Sequence, residues 1–288
     1  MAKRTNRKSD YKGFGSSSKK ESKQGASKRP KSAGKMLATA GSSLSAAAAM
    51  LLMPGVAMAL PQGLQIRGGE LNITQPDGST LIINQGTNRA AGDWESFDIN
   101  AGQRVQINQP GANSLLLNRI TGGSATQILG NLSADGGVIL VNPHGMLIGA
   151  DATINTATFT ATTLDIDPAK FMQGGALELS RSALMPEDAK IINEGKITVG
   201  EAGLVALVAP QVVNEGLIMA KLGRVQLASG TAATLDISGD GLLNIALDPE
   251  VAGEITNSGV IEGQYVRIGG GMAGQFVNAA VNLDGVIR

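Results

Sequence analysis

Cysteine is absent from this chain of 288 residues, histidine occurs once, and aromatic residues make up only 3%. Without cysteine there is no disulfide framework and no thiolate metal site. With His144 as the single histidine, one chain cannot assemble a histidine-based nucleophile relay or a multi-histidine metal site. What is abundant is glycine, 39 residues, within 42% hydrophobic content. That balance suits many thin strands and tight turns better than helix packing or a cofactor cavity.

The formal net charge of zero hides two opposed halves. Residues 1–59 carry twelve Lys or Arg against Asp10 and Glu21, about +10, whereas 60–288 carry twelve against twenty-two acids, about −10. A basic, Ser- and Gly-rich tail without an apolar period reads as unfolded. Charge alone would suggest nucleic-acid binding. The order argues otherwise, because the basic run is followed by an Ala/Leu/Met stretch from Met36 to Met58 and then by Ala57-Met-Ala59. Basic region, apolar region and small-residue site make a secretory signal with cleavage between Ala59 and Leu60. Gly41-Ser-Ser-Leu-Ser45 and Pro54-Gly55 interrupt the apolar stretch too often for a membrane span. No nucleic-acid partner is expected.

Beyond this leader the chain repeats. Asn193-Glu-Gly195, Asn214-Glu-Gly216 and Asn257-Ser-Gly259 occupy equivalent contexts, Asp236-Ile-Ser-Gly239 falls between the second and third, and Asn278 starts another copy. Successive separations are 21, 22, 21 and 21 residues. A fixed period of this size signals a solenoid whose units stack on one another. Each unit reads as strand, Asn-x-Gly turn, strand, then an alternating run such as Leu204–Val208, with Leu204, Ala206 and Val208 on one face and Val205 and Leu207 on the other. Nothing supplies a helix per repeat. The expected fold class is all-β, a right-handed parallel β-helix with an N-terminal β cap near Leu60–Ile107.

The turns have a local rationale. Asn tolerates left-handed backbone angles, Gly accepts positive φ, and Asn side chains stacked at one corner can bond as a ladder. The same reasoning makes Asn142-Pro143-His144-Gly145 a tight corner between strands. Asp167-Pro168 with Gly174 six residues on predicts a short capped helical turn, and Met185-Pro-Glu-Asp188 predicts a second irregular joint. Trp94 and Phe97 are expected to pack the cap.

The stretch Val138-Ile-Leu-Val-Asn-Pro-His-Gly-Met-Leu-Ile-Gly149, continuing to Thr160–Ile166, resembles the signature of the secretion domain of two-partner-secretion exoproteins, the filamentous haemagglutinin family. Gln85–Ile107 with Trp94-Glu-Ser-Phe97, Leu117-Asn-Arg-Ile-Thr-Gly-Gly123 and Gln127-Ile-Leu-Gly130 extend the resemblance in order over roughly 60–171. His144 stands where the family usually has a second Asn, and Asn108-Gln-Pro110 where some members carry an Asn-Pro-Asn-Leu motif. The resemblance implies a secreted, adhesin-type exoprotein that a dedicated outer-membrane β-barrel transporter exports, with Asn142, Pro143, His144 and Gly145 as a secretion or recognition motif. A host-cell or glycan receptor is a further partner of that kind of protein. The organisation then reads as leader 1–59, secretion domain 60–175 and repeats 176–288, ending mid-repeat, as in a truncated or vestigial partner. An N-terminal fragment of a larger contact-dependent toxin is an alternative.

Catalytic chemistry finds little support. Gly269-Gly-Gly-Met-Ala-Gly274 spells a dinucleotide motif, but the residues after it read as strand where a helix N-terminus is needed. A carbohydrate-acting β-helix enzyme is the competing function class, with Asp165, Asp167, Asp236, Asp240 and Asp248 as its carboxylates. Solvated acids are the ordinary explanation for them. No enzyme activity, cofactor or metal is expected.

Overall fold

A computed structural model describes residues 60–236, 243–246, 253–270, 281–283 and 285–288. These form a parallel β-helix of three faces. Thr126–Ile128, Asn131–Ala134 and Gly137–Val141 are successive strands of one coil. The chain then returns to the first face at Met146–Ile148, in parallel register with Thr126–Ile128. The first face stacks Thr126–Ile128, Met146–Ile148, Lys190–Asn193, Gln211–Asn214, Glu254–Asn257 and Val281–Leu283. The second and third faces belong to one fifteen-stranded sheet.

Short strands suffice because each contributes one or two inward residues to a column. On the second face Leu132, Ile154, Ile197, Ile218 and Ile261 lie in successive register, all buried. On the third face Val138, Phe159, Val205 and Val225 do the same. Burying each large apolar side chain contributes about 1.5–3 kcal/mol. Parallel coils let this term accumulate rung by rung without long strands.

The coil begins with antiparallel pairs. Gln65–Gly68 pairs with Arg89–Trp94, and Leu71–Asp77 with Thr80–Gln85. Pairing is parallel from there, Thr80–Asn84 onto Arg104–Asn108 and Arg89–Trp94 onto Leu115–Ile120. The cap proper is therefore shorter than the segment to Ile107. Trp94 and Phe97 pack within it edge to face, ring centroids 5.3 Å apart, and the indole N–H donates to Asn118 Oδ1 at 3.0 Å. Leu60 is fully buried in the same core.

Two segments leave the coil and cover the third face from outside. The first runs from Thr163 to Ala189 and holds the helix Pro168–Gln173, capped by Asp167 through Ala169 N and Lys170 N and closed at Gly174 with φ +86°. Its strand Leu177–Ser180 pairs antiparallel with Ala232–Leu235 from the second segment, which in turn pairs with Leu243–Ala246. The alternating run Leu204–Ala209 is consequently buried on both sides. Val205, Leu207 and Ala209 face the coil interior, while Leu204, Ala206 and Val208 meet a second core that contains Phe171, Leu177, Leu179 and Leu235.

One sequence expectation is overturned here. Asp236 does not belong to a coil, because the strand before it, Ala232–Leu235, sits in the outer three-stranded sheet. Gln211–Asn214 stacks directly on Glu254–Asn257. A hairpin-sized insertion of nearly one repeat length had passed for a coil. Asn278 lies outside the described residues, and the next coil places Leu283 over Asn257. The division expected between 175 and 176 falls inside the first outer segment; parallel register with the preceding coil resumes beyond it at Ile191, opposite Met146.

Candidate functional site

Asn142 ends the strand Gly137–Val141 and turns the chain from the third face to the first. Its side chain is fully buried and makes three bonds. Nδ2 donates to Ser124 O and Thr126 Oγ1, both at 2.9 Å, and Oδ1 accepts from His144 N at 2.9 Å. The main chain closes the turn, with Gly145 N donating to Asn142 O at 3.0 Å and Asn142 N to Thr162 O at 3.0 Å. Asn142 thus uses its full amide to close its own turn and tie it to the Ser124–Thr126 segment, a demand that Asp or Ser could not meet.

Pro143 is buried and His144 half-buried. Gly145 has φ +97°, and a Cβ there would sit 2.6 Å from Lys190 O in the next coil. Both conformation and space therefore require glycine at this position. A shallow groove of about 450 Å³ lies beside the corner, lined by Gln62, Glu95, Phe97, Asp98 and Gly122–Thr126 among others. The strand Thr126–Ile128 does not offer a free edge to it. Gln127 N donates to Asp98 Oδ1 at 2.7 Å, and Ile99 N to Gln127 O at 2.9 Å.

The repeat turns obey different physics from the expected one. Asn193, Asn214 and Asn257 are fully buried at the corner between first and second faces. Asn193 Nδ2 donates to Asn214 Oδ1 at 2.7 Å, and Asn214 Nδ2 to Asn257 Oδ1 at 2.6 Å. The ladder is present, but none of these residues, nor Gly195, Gly216 or Gly259, has positive φ. Gly is required instead by close stacking of the coils. A Cβ at Gly195 would meet Gly149 O at 2.5 Å, and Cβ atoms at Gly216 and Gly259 would run into Gly195 O and Gly216 O. Asn193 O also accepts from both Glu215 N and Gly216 N, and Asn214 O from Ser258 N and Gly259 N.

Of the carboxylates considered for catalysis, Asp165 and Asp167 are structural. Asp165 takes both Nε and Nη2 of Arg119, at 2.9 and 3.0 Å, and Arg119 Nη1 also reaches Asp93 at 2.8 Å. Arg67 completes the group on Asp93 at 2.6 Å. Burial works against the Arg119 charge, but Asp165 and then Asp93 outweigh it and raise its pKa. Asp167 is the helix cap. These acids anchor the outer segment to the coil, aided by Arg89, whose Nη1 donates to Phe171 O at 3.0 Å and whose guanidinium lies 5.2 Å from the Phe171 ring. Asp240, Asp248 and the residues at the expected cleavage site, Ala57 and Ala59, lie outside the described residues, as does most of the glycine-rich motif after Gly270. Among the described residues no group of His, Asp and Glu could hold a metal ion.

The repeat corner was legible from the Asn-x-Gly spacing. The Arg67–Asp93–Arg119–Asp165 group was not, because its members are separated by up to 46 residues between contacting pairs and follow no motif.

Comparison with known proteins accords with this architecture. A heme/hemopexin-binding protein of Haemophilus influenzae is 36% identical over 209 residues, covering 70% of this chain and 23% of the relative. Another heme/hemopexin-binding protein of the same species is 39% identical over 107 residues, 37% of this chain and 12% of the relative. The chain thus spans under a quarter of the length of these curated relatives. The crystal structure of the HMW1 secretion domain from Haemophilus influenzae superposes with a TM-score of 0.64 at 33% identity, over 72% of this chain and 57% of that one. The family described as TPS secretion domain matches residues 57–288, which take in the whole described coil. The chain belongs to the TPS secretion domain family and is the secretion domain of a two-partner-secretion exoprotein.

Proposed function

We propose that this chain directs export of an adhesin-type exoprotein through a dedicated outer-membrane β-barrel transporter, and that Asn142, Pro143, His144 and Gly145 serve export by fixing one corner of the coil. The family match over 57–288 carries this reading. Two features of the fold support it. Each coil is templated by the one before, so a chain emerging unfolded gains stability stepwise as coils are added. The lack of cysteine leaves no cross-link to hinder transit. The leader would end at Ala57-Met-Ala59, which leaves Leu60, a core residue, at the start of the exported domain.

Heme or hemopexin binding is named for the relatives, and a comparable cargo is proposed here for the exoprotein as a whole, beyond the coil. No catalytic role is proposed for Asp165 and Asp167, which are held as an ion pair and a helix cap. The test is expression in a Gram-negative host with and without a cognate transporter. Product in the medium only when the transporter is present supports the reading, and release that ignores the transporter overturns it.

A further inference from the structure

The faces of the coil differ in what they turn outward. On the second face, Asn131, Thr153 and Lys196 share one outward row and Ser133, Asn155 and Thr198 another, all polar. On the third, Leu117, Ile139, Val141, Leu204, Ala206 and Val208 point away from the coil interior and are buried against the two outer segments. Without those segments in place this face is a contiguous apolar surface.

The cover has two parts with different requirements. Its near part, 165–174, is fastened to strands that precede it, Asp165 to Arg119 and Phe171 O to Arg89. Its far part is not. Leu177 and Leu179 share their core with Leu204, Ala206 and Val208, and Leu177–Ser180 takes its partner strand from Ala232–Leu235, all of which follow it in the chain. Toward its own segment it has the single bridge of Ser180 to Asp165.

If they paired before the coil was built, Leu177–Ser180 and Ala232–Leu235 would have to close the whole intervening loop with no apolar floor beneath them. Building the coil removes that cost. Both outer segments leave it beside the same strand, Leu204–Ala209, where Thr163 N donates to Val208 O at 3.1 Å and Gly230 N to Ala209 O at 3.2 Å. The stacked coils therefore supply the floor and bring the two strands together.

We infer that the outer three-stranded sheet is a clasp that shuts last. The near part docks on the early coils, the coil then grows to Ser229, and Ala232–Leu235 finally draws Leu177–Ser180 down over the third face. Until that step the face stands open at Leu204, Ala206 and Val208. Under the export reading proposed above, on which this consequence alone rests, a chain that has emerged as far as Ala209 is aggregation-prone and one that has emerged beyond Leu235 is not. The clasp is then a checkpoint on the length of domain delivered.

Pulsed hydrogen exchange during refolding of the full chain from urea tests the order. Amides of 138–141, 158–162 and 204–209 are expected to gain protection several-fold earlier than those of 177–180 and 232–235, with an apolar dye bound in the interval. Protection of the two clasp strands together with the coil, or before it, overturns the inference. A cross-link tests it independently, because the chain has no cysteine of its own. Ser180 bonds toward Asp165, so by alternation the exposed Glu178 and Thr234 form a non-hydrogen-bonded pair, suited to a disulfide in the double variant Glu178→Cys, Thr234→Cys. Refolded with that disulfide intact, the variant should complete the late phase several-fold faster and the early phase at an unchanged rate. A faster early phase, or a late phase left unchanged, overturns the order. Neither measurement involves a transporter, so failure here is distinct from failure of the export reading.

Discussion

Asn214 donates from its buried side-chain amide to Asn257, 43 residues further along the chain, at 2.6 Å. The bond joins adjacent coils across a whole inserted segment. It also gives Asn214 ladder partners on both sides, while Asn193 Oδ1 and Asn257 Nδ2 have no partner among the described residues.

Replacing Asn214 by Leu should therefore cost more than removing the ladder altogether. The single substitution strands the Asn193 amide and the Asn257 carbonyl in the core, at about 2–4 kcal/mol in total. Joint replacement of Asn193, Asn214 and Asn257 by Leu continues an apolar column that already has the buried Ile148 at one end. Urea unfolding should place the triple variant nearer the parent than the single one. The opposite ranking contradicts the ladder account.

Gly145→Ala combines a left-handed backbone with a clash against Lys190 O, so a loss on the order of 2–4 kcal/mol is expected. Gly102, with φ +79° but open space around it, isolates the conformational part. Gly102→Ala should lose clearly less stability by the same melt.

Arg119→Ala removes the bidentate partner of Asp165 and leaves the nearly buried Asp93 with Arg67 alone. The expected cost is about 1–3 kcal/mol. It should appear locally, as faster amide exchange and proteolysis within 163–189, before the coil itself opens. Uniform destabilisation of the coil would show that the outer segment is not held this way.

Asp77 titrates below the ordinary Asp value, because Ser79 N and then Ser79 Oγ bond its carboxylate at 2.8 and 2.9 Å. A pKa lowered in the folded state contributes stability above the unfolded value and loses it as pH falls through the folded one. NMR titration should therefore find the turn between Asp77 and Thr80 loosening only in acid. Ser79→Ala, which keeps the backbone bond, should return the pKa part of the way.

Much of this fold was legible before any coordinates. The Asn142 corner, the Asp167 cap with Pro168 after it, and the Asn ladder each rest on local residue chemistry, which a sequence states directly. What could not be read depends on non-local pairing. A period counts residues, not strands, so the segment around Asp236 matched the spacing of a coil while folding outside it. Alternation in Leu204–Ala209 distinguishes two faces but does not reveal that both are covered. The reason for glycine at 195, 216 and 259 lies in the neighbouring coil, and positive φ was the wrong explanation for all three.

Asn142→Ala should leave Ser124 O, Thr126 Oγ1 and His144 N without their partners and cost about 2–4 kcal/mol. If the corner serves export through folding, its secretion defect should match that of Asn214→Ala, a variant of similar stability remote from the corner. A much larger defect in Asn142→Ala would assign it direct contact with the transporter.

The most direct measurement is the ratio of chain in the medium to chain in the periplasm, followed after pulse labelling, in cells that differ only in the cognate outer-membrane transporter. The account predicts accumulation in the medium with the transporter and retention without it. An identical ratio in the two strains would contradict it.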